Sequence, residues 1–248
     1  MSRWKCVCAY DGGAFSGWQS QPSGNSVQDA IEARLGAVLE CAVRIHGSGR
    51  TDAGVHALAQ VFHFDADWKH GDSKLAAALR HRLSKSIQIV SVRRAPDAFH
   101  ARFSATSKTY SYRIRIGDAD PFTRAYCWPV PRPLDVSAMR KAAAALRGKH
   151  DFKAFAVTRG EDDGGGRGTV RTLRRLEVSA RGRAITVTAE ADGFLYKMVR
   201  SLVGALVACG DGQLDAREVR AILDSKIRTA AVQTAPPHGL FLVRVGYR

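Results

Sequence analysis

Residues 108 to 116 read Lys-Thr-Tyr-Ser-Tyr-Arg-Ile-Arg-Ile, and they form the clearest strand pattern in the chain. Alternate positions carry large apolar side chains, which a strand places on one face: Tyr110, Tyr112, Ile114 and Ile116. The positions between them are polar or basic: Thr109, Ser111, Arg113 and Arg115. The pattern predicts a strand with one core face and one basic face.

Strand and helix patterns extend from this segment in both directions. Before it, the sequence predicts strands over 3–10, 42–47, 58–65 and 87–93, and helices over 27–39 and 73–83. After it, the sequence predicts three helices. The first runs from a cap at Asp135 to about residue 147, the second has an apolar face at 194–207, and the third follows a cap at Asp215. Strands are predicted over 152–157, 170–179, 183–190 and 240–247. Ser26-Val-Gln-Asp29 resembles a capping box that begins the first helix.

Each half of the chain therefore mixes strands with helices, and 248 residues suffice for two modest cores. We expect a mixed α/β (α+β) fold of two similarly built halves, with mainly antiparallel sheets side by side, flanked by helices, and a cleft between the halves. The expected boundary gives an N-terminal half over 1–105 and a C-terminal half over 106–248.

The composition indicates the kind of partner. The chain has 38 Lys and Arg residues against 23 Asp and Glu residues, a formal net charge of +15. Such a field attracts polyanions, so nucleic acid is the expected partner, with a membrane surface as the alternative. No apolar run approaches the length of a spanning helix, and the N-terminus lacks the apolar core of a signal peptide. We expect a cytoplasmic protein.

The five cysteines argue against a disulfide scaffold or a zinc ribbon. Their number is odd, their spacing is wide, and they form no C-x-x-C pair. Cys6 and Cys8 lie two residues apart on one face of the first strand. We expect all five to be buried, reduced thiols.

The stretch Gly-Ser-Gly-Arg-Thr-Asp-Ala-Gly-Val-His-Ala-Leu, residues 47–58, sets Asp52 among glycines and beside Arg50. Glycine lets the backbone turn sharply or approach a ligand closely. The cation of Arg50 favours the charged form of a neighbouring carboxylate. Asp52 is therefore a candidate nucleophile or general base, held in a loop without being fully buried.

Four other interpretations of this loop compete with that one. A phosphate-binding loop is disfavoured because Val55 and His56 stand where Lys and Ser or Thr are required, and the dinucleotide fingerprint lacks its third glycine. Asp52 and His56, with His46 and His63 nearby, show no recognised metal-ligand spacing, so no metal is expected. A plain structural turn with a solvated Asp52 stays open at this point.

Further clusters set basic and aromatic residues near turns: Tyr10-Asp-Gly12 with Phe15 and Gly17-Trp-Gln19, Phe99-His-Ala-Arg102, and Tyr196-Lys-Met-Val-Arg200. Loop aromatics can stack on unpaired bases, but Phe15 and Trp18 are equally compatible with a loop folded onto the first strand. Tyr110, at the start of its strand, can belong to the core or face a substrate. Arg200 borders the apolar helix face and can reach a carboxylate or extend to water.

Taken together, these motifs resemble the tRNA pseudouridine synthase A (TruA) family of bacterial type, in the same order and over essentially the whole chain. Besides the clusters above, the resemblance is carried by Gly49-Arg-Thr-Asp-Ala-Gly-Val-His56, Lys108-Thr-Tyr-Ser-Tyr112, Met198-Val-Arg200 and Gly239-Leu-Phe-Leu242. It implies a pseudouridine synthase-like fold, a homodimer, no cofactor, and isomerisation of uridines 38 to 40 in the anticodon stem-loop of tRNA.

The resemblance also implies roles for individual residues. Asp52 corresponds to the family's catalytic aspartate, Tyr110 to its substrate-contacting aromatic residue, and Arg200 to its active-site arginine. Leu240 belongs to a family motif and is expected to bind substrate together with Arg50. Residues 159–168 match no family motif. Two alternatives from other classes are a non-catalytic RNA-binding module and a hydrolase that releases the base from RNA.

Our hypothesis from the chemistry is that Asp52 either attacks covalently or abstracts a ribose proton. Arg50 would grip a phosphate or help to eject a neighbouring nucleotide, and Arg200 would pair with Asp52. Tyr110 would stack on the flipped base and could accept its proton.

Overall fold

The computed structural model describes residues 1–157 and 168–248. These residues form ten strands: β1 Ser2–Tyr10, β2 His46–Gly47, β3 His56–Ala66, β4 Ile87–Ala95, β5 Ala105–Ile116, β6 Trp128–Val130, β7 Gly148–Asp151, β8 Val170–Arg181, β9 Ala184–Ala191 and β10 Leu240–Tyr247. They also form five α-helices: α1 Val27–Leu39, α2 Asp72–Arg80, α3 Val136–Leu146, α4 Met198–Gly210 and α5 Ala216–Ser225. The predicted mixed α/β fold, with mainly antiparallel strands flanked by helices, is confirmed.

The chain divides into two compact units, Met1–Thr106 with Phe241–Arg248, and Ser107–Leu240. The expected halves were 1–105 and 106–248, so the last eight residues group differently from that expectation. The reason is pairing: Phe241 and Leu242 of β10 lie beside His56 and Ala57 of β3 in a parallel ladder. Periodicity along the sequence does not reveal which strand a terminal segment joins.

In the first unit the strand order is β4-β1-β3-β10, and β2 also pairs with β3. β1 is antiparallel to both β3 and β4. Its side chains alternate strictly, and Cys6 and Cys8 are completely buried on the predicted face. Burial raises the pKa of both thiols, so they stay protonated. The expectation of buried thiols is wrong for Cys41, which lies exposed just after the end of α1.

The two helices of this unit show why the sequence forms them. The capping box that begins α1 is confirmed: Ser26 accepts from the backbone N–H of Asp29, whose side chain accepts from the backbone N–H of Ser26. The buried apolar residues of α1 recur with helical spacing: Val27, Ile31 and Leu35. α2 ends at Arg80, three residues before the predicted end, and packs against β4.

In the second unit β5, β9, β8 and β7 pair in that order, and β6 lies parallel to β5. The apolar face predicted for β5 is confirmed, because Tyr110, Tyr112 and Ile114 are buried. The opposite face is basic and exposed only in part, since Thr109 is also buried. α3 packs against β8, α4 and α5.

Several predicted elements need correction. The strand predicted over 42–47 is reduced to His46–Gly47. The strand predicted over 152–157 is wrong: Lys153–Phe155 form a turn of 3₁₀ helix, and the strand lies earlier, at Gly148–Asp151. The helix predicted from 194 begins at Met198. The loop predicted over 158–168 falls almost entirely outside the described residues.

The short strand Trp128–Val130 was not predicted, because Pro129 made the segment look irregular. Within the described ranges, no helix has both the length and the apolar character needed to cross a membrane.

Candidate active site

The Asp52 loop, residues 48–55, connects β2 to β3 in the first unit. Its tip is a tight turn, in which the backbone N–H of Val55 donates to the carbonyl oxygen of Asp52 at 3.1 Å. Gly54 occupies the third position of this turn with φ of +77°, a conformation that side chains with a Cβ disfavour. Asp52 itself is half-buried. The turn therefore fixes the backbone of Asp52 without burying the residue completely.

A second loop, residues 11–18, lies directly against the first. A Cβ atom on Gly12 would meet the carbonyl oxygen of Val55 at 2.0 Å, and one on Gly17 would meet the carbonyl oxygen of Thr51 at 2.8 Å. These approaches allow two backbone hydrogen bonds, from Trp18 N–H to Thr51 at 3.1 Å and from Gly54 N–H to Gly12 at 3.2 Å. The 11–18 loop thus forms a cradle that holds the Asp52 turn from both sides.

Side chains strengthen this cradle. The hydroxyl groups of Tyr10 and Thr51 lie 2.8 Å apart in a buried hydrogen bond. Trp18 is buried, and Gly47 lies so close to its ring that a Cβ there would come within 2.5 Å. Phe15 is buried as well. Of the two interpretations of the loop aromatics, the structure supports the folded loop and not base stacking.

His56 connects the cradle to the start of β3, and its ring is buried. Its Nδ1 lies 3.1 Å from the backbone nitrogen of Gly12 and also 3.1 Å from a carboxylate oxygen of Asp11. One ring nitrogen cannot accept from the amide and donate to the carboxylate at once. The amide of Gly12 can only donate, so its hydrogen bond requires a neutral His56 ring with no proton on Nδ1. The contact with Asp11 suits the protonated ring, in which Nδ1 donates. The ring also stacks on Phe241 with centroids 4.7 Å apart.

This contact of His56 with the 11–18 loop was not predicted from the sequence. A signal was present in the sequence, since a histidine immediately follows the glycine turn. Across residues 1–157 and 168–248, no group of three or more His, Cys, Asp or Glu side chains is arranged to hold a metal ion.

Arg50 lies exposed in the same loop. Its Nε donates to Oε1 of Gln19 at 3.2 Å, and Gln19 in turn donates to Gln28 on α1 at 2.8 Å. The stem of Arg50 is therefore connected to the cradle, and the guanidinium is at the surface, where a phosphate can reach it.

The other predicted site residues lie in the second unit. Tyr110 is buried on β5 beside Ala189 of β9, and its ring meets that of Phe194 edge-on at 5.2 Å. Leu240 is buried and follows a 3₁₀ turn, Pro237–Gly239. The structure thus brings Asp52 and Arg50 together in one unit, and Tyr110, Arg200 and Leu240 lie in the other.

Arg200 is half-buried near the start of α4 and is held twice by one residue. Its Nε donates to the carbonyl oxygen of Ala235 at 2.7 Å, and its own carbonyl accepts from Ala235 N–H at 3.1 Å. The next residue, Pro236, accepts from the hydroxyl of Tyr112 at 2.7 Å. Burial raises the pKa of Tyr112 far above its ordinary value, although the charge of Arg200 opposes the shift, so this phenol remains a donor.

Comparisons with known proteins agree on one family. The family model described as tRNA pseudouridine synthase matches residues 7–104 and 142–248. The chain is 43% identical over 249 residues to tRNA pseudouridine synthase A of Nitrobacter hamburgensis, covering 100% of both proteins. It is also 43% identical to the protein of that name from Anaplasma marginale strain St. Maries, covering 99% of this chain and 100% of the relative.

One solved structure, the crystal structure of a Cbf5-Nop10-Gar1 complex, resembles the chain at 12% identity and a TM-score of 0.38. The match covers 97% of this chain and 49% of that one.

Proposed function

Because this chain belongs to the tRNA pseudouridine synthase family and isomerises uridine to pseudouridine in tRNA, we propose that Asp52 is its catalytic residue and that uridines 38 to 40 of the anticodon stem-loop are its targets. The observation that carries the proposal is the cradle around Asp52. Two glycines and two backbone hydrogen bonds hold that turn, yet Asp52 itself is only half-buried. A catalytic group needs this combination of fixed position and access.

The reaction breaks the bond from N1 of uracil to C1′ of the ribose and forms a bond from C5 to C1′. The C5 proton leaves and N1 gains a proton, so no electron acceptor or energy source is required. We assign Asp52 the step at the ribose, either by attack at C1′ or by removal of a ribose proton. Both routes require an ionised carboxylate, because only that form is a nucleophile or a base.

The remaining predicted residues take supporting roles in this proposal. Arg50, exposed beside the turn, contacts a phosphate next to the target nucleotide. Arg200, which Ala235 holds in one orientation, contacts the substrate. Tyr110 stacks on the flipped uracil, and Leu240 contributes an apolar contact to the pocket.

The assembly and location belong to the same proposal. The chain acts as a homodimer, in which one tRNA spans both subunits and meets two copies of a surface with a formal net charge of +15 per chain. It acts in the cytoplasm, where bacterial tRNA is processed.

The experiment uses tRNA transcripts labelled with tritium at C5 of uridine, since isomerisation releases that label into water. The purified full chain should release tritium from a transcript with uridine at positions 38, 39 and 40. A matched transcript with cytidine at all three positions should release none. Equal release from both transcripts would exclude the proposed target region, whereas loss of uracil from the RNA without pseudouridine would contradict isomerisation itself.

A further inference from the structure

The side chain of Phe103 is unusual in the first unit because 66% of it is exposed. Leaving a phenylalanine in water forgoes the stabilisation that burial normally supplies. Phe103 belongs to the Phe99–Phe103 segment, whose role the proposed catalytic mechanism does not explain. It lies in the turn that connects β4 to β5.

The turn beneath Phe103 is firmly anchored to the first unit. Ala101 is completely buried; its N–H donates to Nδ1 of His63 at 3.2 Å, and its carbonyl accepts from the hydroxyl of Tyr247 at 2.7 Å. The guanidinium of Arg3 donates to the carbonyl of Phe99 at 2.9 Å. An exposed ring on a fixed backbone loses less conformational entropy on binding than one on a mobile loop.

His100 holds the backbone of Arg102 and Phe103. Its Nδ1 lies 3.1 Å from the backbone nitrogen of Arg102 and 3.3 Å from that of Phe103, and both amides can donate to it. An acceptor at Nδ1 requires the neutral ring with its proton on Nε2. Burial lowers the pKa of His100, with contributions from His46 and Arg3, which keeps the ring neutral at neutral pH.

The immediate surroundings of Phe103 combine π surface with positive charge. The His100 ring lies 4.3 Å from the Phe103 ring, centroid to centroid, at an angle of 34°. The guanidinium carbon of the exposed Arg102 lies 5.6 Å from the same centroid. A flat aromatic surface beside one cation matches the chemistry of a nucleotide, with a base to stack and a phosphate to pair.

Phe122 offers an instructive comparison, since it is 88% exposed. Its neighbour Asp120 accepts from the backbone N–H of Phe122 at 3.0 Å and from the hydroxyl of Thr123, so a carboxylate lies beside the backbone of Phe122. A carboxylate repels phosphate, so exposure alone does not make Phe122 a nucleotide site. The cation beside Phe103 is the distinguishing feature.

We propose that Phe103, His100 and Arg102, the Phe103 platform, bind an unstacked nucleotide of the tRNA other than the target uridine. The base stacks on Phe103 and a neighbouring phosphate pairs with Arg102. The platform lies far from Asp52 within the same unit: His63, beneath it, is on the order of 20 Å along β3 from His56, which adjoins the Asp52 loop. This inference rests on tRNA as the substrate and not on the anticodon positions.

The test measures tRNA affinity, together with the single-turnover rate at saturating enzyme, for full-length variants. Phe103→Ala should weaken tRNA binding about five- to a hundredfold, the range for one stacked base, and leave the saturated rate unchanged. Phe103→Trp should restore the affinity, because it keeps a stacking surface. The control, Phe122→Ala, should behave as the wild type.

Arg102→Gln provides a second, independent variant. It should lower the affinity and reduce the slope of log affinity against log salt by about one phosphate contact. Unchanged affinity in both Phe103→Ala and Arg102→Gln would overturn the platform. So would a changed molecular mass of the free Phe103→Ala protein, whatever its affinity, because Phe103 would then contact a second copy of the chain. Tritium release from outside positions 38 to 40 would leave this inference unaffected.

Discussion

At the scale of single residues, Asp52 owes its position to groups that are remote in the sequence. Thr51, its neighbour, bonds through its hydroxyl to Tyr10 and through its carbonyl to Trp18. Gly12 contacts Val55 on the other side of the turn. These contacts restrain the backbone on both sides of the carboxylate, so small changes in them should affect catalysis before they affect RNA binding.

Tyr10→Phe tests this expectation, since it removes one hydroxyl and keeps the ring. The hydroxyl of Thr51 then lacks its buried partner, and the free energy of unfolding should fall by about 1 kcal/mol. The single-turnover rate should fall with it, while the dissociation constant for tRNA stays within about twofold of the wild type. Thr51→Ser, which keeps a hydroxyl, is the control and should retain most of the rate. Loss of tRNA affinity with an unchanged rate would count against a positioning role.

At the scale of elements, the cradle depends on glycines at two points of a loop. Gly17 has φ of +105°, and a Cβ there would lie 2.8 Å from the carbonyl oxygen of Thr51. Gly24, a few residues on, also has positive φ, +65°, but no heavy atom would lie within 4 Å of its Cβ. Substitutions at these two glycines therefore distinguish the effect of backbone strain alone from the effect of displacing the Asp52 turn.

Gly17→Ala should displace the turn in addition to straining the backbone. We expect a cost of about 1–3 kcal/mol in the free energy of unfolding and a clear loss of turnover. Gly24→Ala should cost about 1 kcal/mol and leave turnover unchanged. Denaturant unfolding and tritium release measure the two effects. Equal activity of the two variants would show that the close approach of Gly17 to the Asp52 loop has no catalytic consequence.

Local patterns predicted those elements whose structure is decided locally. The alternation of residues 109–116 and the Ser26–Asp29 capping box are confirmed. The strand predicted over 152–157 is wrong. Phe152 and Ala154 are buried on either side of exposed Lys153, which resembles the alternation of a strand. Phe155 is buried as well, because these residues form a 3₁₀ turn. A short buried turn and a strand produce the same pattern over so few residues.

The candidate site was predictable to a similar extent. The local sequence made the Asp52 loop a candidate, because glycines, an arginine and an aspartate stand together there, and the family resemblance favoured it over a plain structural turn. The cradle was not predictable, since Tyr10 and Thr51 are 41 residues apart and meet only in the folded unit. The pairing of β10 was not predicted for the same reason, because its partner β3 is remote in the sequence.

At the scale of the whole molecule, attraction of tRNA and the proposed chemistry depend on different groups. A formal net charge of +15 attracts tRNA through its phosphates, an effect that weakens as salt rises. The carboxylate of Asp52 contributes nothing to that attraction. We therefore expect binding and turnover to be separable properties of this protein.

The stability of the first unit should depend on pH through His63. Burial lowers the pKa of His63 to about 4 from an ordinary value of 6.5, and the charges of His100, Arg3 and His46 add to the shift. The pKa of His100 is lowered as well. The unfolded chain thus binds more protons than the folded one below pH 6.5, so stability falls as the pH drops from about 6.5 towards 4.

His63→Asn should reduce that dependence, because asparagine can still accept from Ala101 N–H but does not titrate. Urea unfolding at several pH values between about 7.5 and 4.5 measures this dependence, because that range includes most of the window from about 6.5 to 4. His70→Asn, at an exposed histidine of the same unit, should leave the pH dependence unchanged. A slope as steep in His63→Asn as in the wild type would assign the effect to other groups.

The most direct test of the account is the rate of tritium release by Asp52→Asn at saturating enzyme, measured beside its affinity for tRNA. Asparagine keeps the shape of the side chain and removes its charge. We predict a fall in rate of at least about a hundredfold, with affinity largely retained. Asp67→Asn, the same change at an exposed aspartate of the same unit, should match the wild type in both. Near wild-type release by Asp52→Asn would contradict the catalytic role of this carboxylate.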